Sequence, residues 1–242
     1  MLKIIIPLAS DHFIDESGQF NYPLPLIEIN GKSVIEYVLS ELDKISGEKQ
    51  LIFILKEQDC TKYNLDNSLK LLVENPVIVP LKAKTKGAVC SILMAIDYIN
   101  HDDEILIVNA DQIIECDYNE VLANFRHQKA DGGIISFNSV HPRWSYAKVI
   151  DKEVFQTAEK NPISNEAIAG FYYFRKAKDF IEGAFDVIRH DEHYEGRYYT
   201  SSVFNQMILK EKKIISFQIA PNQMHSFYSV QKLKEFEKYL LG

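Results

Sequence analysis

Positive charge is missing from the start of the chain. Between Ile4 and Gly31 there is no lysine or arginine, while Asp11, Asp15, Glu16 and Glu28 all fall in that stretch. A phosphate group brought there meets like charge, at about 1–4 kcal/mol per contact within reach at surface-like dielectrics. It is held only with a metal ion or a cation supplied from elsewhere. Cysteine is also scarce: Cys60, Cys90 and Cys116 are odd in number and widely spaced, with no CxxC. That excludes a zinc ribbon or a disulfide framework and points to a reducing, cytoplasmic compartment. No apolar run approaches bilayer length, so no membrane is expected; Ile4 to Ala9 is too short for a signal segment and Asp11 follows at once. A net charge of −7, with no run of basic residues, excludes a nucleic-acid partner. There is no repeat, low-complexity tract or Pro/Gly/Ser linker, so residues 1–242 are expected to form one domain.

What is present has the composition of an ordinary globule, 46% hydrophobic and 25% charged. Its focus is Glu104 to Asp117. Ile105-Leu106-Ile107-Val108 is wholly apolar, as a strand buried on both faces of a parallel sheet requires. It ends in Asn109-Ala110-Asp111-Gln112, where ligands bind in open α/β sheets. Asp111 there either caps a turn or holds a hard divalent cation through oxygen.

Around this focus, strands are expected at Leu2 to Pro7, Gln50 to Leu55 and Val77 to Leu81. A helix is expected from Ser33, where Ser33 and Glu36 have capping-box spacing, and Ile35, Val38, Leu39, Leu42 and Ile45 form its apolar stripe. Further helices fall at Leu65 to Val73 and Gly87 to Ile99. This βα alternation predicts a mostly parallel central sheet with helices on both faces. The pattern changes past Asp117. Helices are expected near Tyr118 to Gln128, Ala177 to Arg189, Thr200 to Leu209 and from Val230. Strands are expected at Gly132 to Phe137, Tyr146 to Ile150, Ile168 to Phe174 and Ile215 to Ala220, giving a mixed second half. Residues 1–117 read as a nucleotide-binding half and 118–242 as an acceptor half.

Six segments in order, IIIPLAS, YPLPLIEINGKSVIEYVL, TKGAVCSIL, LIVNADQ, AEKNPIS and AGFYYF, resemble the sugar-phosphate nucleotidyltransferases (NDP-sugar pyrophosphorylases). The resemblance covers most of the chain and implies a single Rossmann-like domain of GT-A type. It implies that Leu8, Ala9 and Ser10 contact the nucleotide, with Gly87 beside the base. Asn109 and Asp111 would line the cofactor site, Asp111 holding Mg²⁺. Glu159 and Lys160 match a motif whose lysine meets the sugar phosphate, and Gly170 a glycine lining the sugar site. The implied partners are a nucleoside triphosphate and a sugar phosphate, in a reaction serving surface-polysaccharide synthesis. In that reaction a sugar-1-phosphate oxygen attacks the α-phosphorus of an NTP and expels pyrophosphate, with Asp111 and Lys160 carrying the chemistry. A homo-oligomer is left open.

The chain departs from that family at its signature loop, where the usual arginine is missing and Leu24 replaces a lysine. Ser226 stands where a second metal-binding aspartate is often found. These losses keep two alternatives open: a GT-A-type glycosyltransferase using an NDP-sugar, and a non-catalytic member that binds a ligand or a partner. Trp144 with Ser145 and Tyr146 either lines a sugar site by stacking or belongs to the core. Arg197 among Tyr198 and Tyr199 either meets phosphate or packs locally. His12, His141, His190, His193 and His225 lack metal-ligand spacing.

Overall fold

Aliphatic runs with few polar interruptions make strands, and the first half is built from four of these, three inside the sheet and one at its edge, where Pro80 is exposed. The computed structural model describes residues 1–10, 18 and 22–242. Asp11, His12, Asp15 and Glu16, singled out above, lie outside the described residues. In chain order the first half holds β1 (Leu2–Pro7), the short hairpin β2 (Glu28–Ile29) and β3 (Lys32–Ser33), and α1 (Val34–Asp43). Then come β4 (Lys49–Lys56), α2 (Glu57–Tyr63), α3 (Leu65–Leu72), β5 (Val77–Leu81), α4 (Ala88–Leu93) and β6 (Glu104–Val108). The Glu36 carboxylate accepts the Ser33 backbone N–H at 2.7 Å, fixing the start of α1. The helix expected over Gly87 to Ile99 stops at Leu93, and Ile96–Tyr98 forms a separate 3-10 turn.

The second half holds β7 (Gln112–Ile114), α5 (Tyr118–His127), β8 (Gly132–Asn138), β9 (Ser145–Ile150), β10 (Glu153–Glu159) and β11 (Glu166–Phe174). It finishes with α6 (Ala177–Arg189), α7 (Thr200–Leu209), β12 (Ile214–Ile219), β13 (Met224–Ser226) and α8 (Val230–Leu240). Strand β10 has no counterpart among the sequence expectations.

The largest sheet runs β5-β4-β1-β6-β11-β8-β12-β10-β9. Strands β5, β4, β1 and β6 are parallel. From β6 onward the expectation of an open, mostly parallel Rossmann-like sheet fails. Strand β11 runs antiparallel to both β6 and β8, and β10 antiparallel to β12 and β9. Strand β9 returns to pair with β11, so β11, β8, β12, β10 and β9 close into a five-stranded, largely antiparallel barrel in which only β8 and β12 are parallel. The physical reason lies in the connections. Antiparallel neighbours need only short links, such as the turn from Ile150 to Glu153, and no crossover helix. A closed ring also removes open edges from these strands.

Alternation along the strands splits the interior in two. Leu2, Ile4 and Ile6 of β1 join Leu106 and Val108 of β6 on one side, packed with Ile35 and Leu39 of α1, Phe125 of α5 and Phe236 of α8. Ile5, Ile105 and Ile107 face the other side, with Ile92 of α4, Phe180 of α6 and Phe204 of α7. Among the described residues no helix is long and apolar enough to cross a membrane.

Candidate active site

The carboxyl end of β1 runs into Leu8, whose N–H donates to the Ile54 carbonyl at 2.8 Å. The Leu8 side chain is core, Ala9 lies at the edge of the second cluster and Ser10 is exposed. Gly87 begins α4 with φ +104°, and a Cβ there would lie 2.5 Å from the Tyr198 carbonyl oxygen. The bare Cα of Gly87 therefore admits the backbone of Tyr198, whose N–H donates to the Lys86 carbonyl at 2.8 Å. Arg197 and Tyr198 thus form part of a segment tied to the loop before α4.

Beyond β6 the chain turns under β11. The Asn109 N–H donates to the Gly170 carbonyl at 2.9 Å. A Cβ on Gly170 would come within 2.5 Å of the Asn109 amide nitrogen and 2.7 Å of that of Gln112, so only glycine lets these two amides sit against the strand. Gln112 is 4% exposed, and its Nε2 has no hydrogen-bond partner among the described residues. An unpaired buried donor costs about 1–3 kcal/mol unless an acceptor arrives. Asp111 lies between these two amides, and its carbonyl accepts the Phe227 N–H at 2.7 Å. Strand β13 pairs with β7, setting Ser226 opposite Gln112. The segment bearing Ser226 is thereby brought beside the turn that carries Asp111.

The barrel supplies the other wall. Glu159 ends β10, and its carboxylate accepts hydrogen bonds from the hydroxyls of Ser145 and, at 3.3 Å, Ser201. Burial pushes the Glu159 carboxyl above its usual range against these hydrogen bonds and nearby Lys160. Lys160 has φ +50°; its N–H donates to the Trp144 carbonyl at 3.0 Å, and its ammonium lies 5.3 and 5.7 Å from the rings of Tyr194 and Tyr199. Trp144 packs edge-on against Phe137 at 5.3 Å. Tyr146 is fully buried and its hydroxyl donates to the His141 carbonyl at 2.6 Å, so its ring is core and has no face for a sugar.

Tyr172 links the two walls. Burial raises its phenol pKa, and the charges of Glu159 and Asp111 both add to that rise. Strand pairing sets these groups on neighbouring strands: Phe171, next to Gly170, lies opposite Val108 at the end of β6, Ala167 of the same strand opposite Tyr146 of β9, and Ser145 opposite Glu159 at the end of β10, with Leu8 to Ser10 following the neighbouring β1. The sequence alone did not single out Ser201 or Arg143: Ser201 meets Glu159, and Arg143 the Tyr228 ring, through the topology rather than through any local motif, whereas Gln112 belongs to the polar tip read after Val108. Among the described residues no group of three His, Cys, Asp or Glu side chains is placed to hold a metal ion.

The chain resembles known proteins over most of its length. Its fold matches a nucleoside-diphosphate-sugar pyrophosphorylase from Vibrio cholerae with a TM-score of 0.81 at 21% identity, covering 98% of this chain and 100% of the other. A UDP-glucose pyrophosphorylase complexed with UDP-glucose matches with a TM-score of 0.73 at 16% identity, over 99% of this chain and 98% of the other. In sequence, the bifunctional protein GlmU of Methanocaldococcus jannaschii is 28% identical over 161 residues, 64% of this chain. This chain spans 36% of that curated relative's length. The sequence profile described as "Nucleotidyl transferase" matches residues 20–222, and the chain belongs to that family.

Proposed function

We propose that the protein transfers a nucleoside monophosphate from an NTP to a sugar 1-phosphate, giving an NDP-sugar and pyrophosphate. The observation that carries this reading is strand β11, which pairs Phe171 with Val108 at the end of β6, where Asp111 follows, and Ala167 with Tyr146 of β9, whose neighbour Ser145 is paired with Glu159, followed by Lys160. In-line phosphoryl transfer needs reactants held in register and charge neutralised, with no covalent nucleophile. Residues 1–117 then hold the nucleotide through Leu8 to Ser10 and the Gly87 corner. Residues 118–242 hold the sugar phosphate, with the Lys160 ammonium toward phosphate, Glu159 and Ser145 toward hydroxyls, and Trp144 at the rim. The open donor of Gln112 beside Gly170 suits a substrate oxygen.

Asp111 is a single carboxylate in a polar turn with Asn109 and Gln112. That donor set suits Mg²⁺, which keeps several waters and is commonly held by one or two carboxylates plus substrate phosphate. Bound there, Mg²⁺ would offset phosphate charge that the stretch from Ile4 to Gly31 cannot. Free thiols at Cys60, Cys90 and Cys116 suit a reducing compartment, so we assign the reaction to the cytoplasm.

The test is pyrophosphate release from a panel of NTPs and sugar 1-phosphates with Mg²⁺. We expect turnover with at least one pair, and a fall of about 100-fold or more in kcat for Asp111→Asn. No pyrophosphate from any pair, together with no NTP binding by thermal shift, would sink the reading.

A further inference from the structure

Arg143 lies in the turn between β8 and β9 and has an unusual environment. Arg126 and Arg189 face carboxylates at 2.6 and 2.5 Å, whereas among the described residues none comes within ion-pair distance of Arg143. Its guanidinium lies over the Tyr228 ring, 3.0 Å from the centroid, with the Trp144 ring 5.3 Å away. Partial burial disfavours its charged form, while Tyr228 and the negative charge of Asp111 favour it.

Both contacts tie the group to the segments that hold Asp111 and Lys160. Tyr228 follows Phe227, whose N–H is bonded to the Asp111 carbonyl, and Trp144 gives its carbonyl to Lys160. The cation is thus held between the Asp111 corner and the Lys160 corner. A guanidinium lying on an aromatic face keeps its edge N–H groups for an acceptor, and that planar fork matches phosphate oxygens two at a time.

We propose that Arg143 binds a phosphate oxygen of the substrate, supplying from the barrel the positive charge that is missing between Ile4 and Gly31. The inference rests on the phosphoryl-transfer reading above and adds to it a phosphate contact from the β8–β9 turn. The competing role is a brace that only pins the segment after β13.

The test uses the full chain. Inorganic pyrophosphate and glucose 1-phosphate are titrated separately by calorimetry, with and without Mg²⁺, into wild type, Arg143→Gln and Arg143→Lys. We expect Arg143→Gln to weaken at least one of the two anions by about tenfold or more, with Arg143→Lys in between and the melting midpoints close to wild type. The anion affected identifies which phosphate is touched. Wild type binding neither anion, or both variants binding both anions as tightly as wild type, overturns the proposal. Arg143→Gln turning over at the wild-type rate would overturn it with the reaction intact, whereas absence of turnover by wild type counts against the reaction itself.

Discussion

A carboxyl group kept from water favours its neutral form, and Glu159 is such a group, with its hydroxyl partners on β9 and α7. The sign of the consequence is fixed. Below the ordinary value of 4.5, Glu159 is protonated in both folded and unfolded chains and imposes no cost. As pH rises past that value the unfolded chain ionises first, and stability is lost until the folded group ionises too. Urea midpoints of wild type and Glu159→Gln should therefore diverge above pH 4.5, the wild type losing ground. Parallel curves would show that burial leaves this carboxyl unperturbed. The polar tip after Val108 is a local pattern, whereas the Glu159-Lys160 pair was legible only through the family resemblance. Arg143 was not legible, because nothing in its own neighbourhood of sequence records that Tyr228 lies beneath it and Asp111 close by.

Among the elements, the loop before α4 and the segment leading to α7 meet where Gly87 leaves room for Tyr198. A methyl group at Gly87 would meet backbone atoms at 2.5 and 2.7 Å, with φ at +104°, and neither obstacle can rotate away. Gly87→Ala should cost about 2–4 kcal/mol in urea unfolding, combining left-handed strain with a backbone clash. An unchanged midpoint would mean that the two segments are not in contact. The elements also explain which part of the fold sequence could reveal. Strands β1, β4, β5 and β6 are short apolar runs separated by helices, and that pattern specifies parallel pairing. Strand β11 is equally apolar on both faces, from Ala167 to Phe174, yet it is antiparallel to β6 and β8. Hydrophobicity records burial, not direction, so its pattern was indistinguishable from that of a parallel strand. Strand β10 escaped notice because only Val154 and Thr157 are buried along it and a bulge between Val154 and Gln156 breaks its period.

Taken as a whole, the molecule joins a parallel sheet to a barrel whose seams are narrow. Closure rests on one pair between β9 and β11, Ala167 with Tyr146, and on one between β10 and β12, Glu153 with Ile215, supported by Ser216 N–H to Lys152 at 2.8 Å. By contrast, β1 is in register with β4 from Leu2 to Pro7. Local opening follows the weakest set of bonds, so amides of β9 and β10 should exchange with deuterium well before those of β1, β4 and β6. Equal protection across all five strands would refute a weak seam.

One backbone bond sets a limit on when the Asp111 corner is braced. The carbonyl of Asp111 is satisfied by Phe227, and β7 is paired by β13, both near the far end of the chain. During synthesis on the ribosome, the corner bearing that carboxylate waits without its partners until β13 and Phe227 have emerged. A nascent chain halted before β13 would carry every strand of the large sheet with that corner still unbraced.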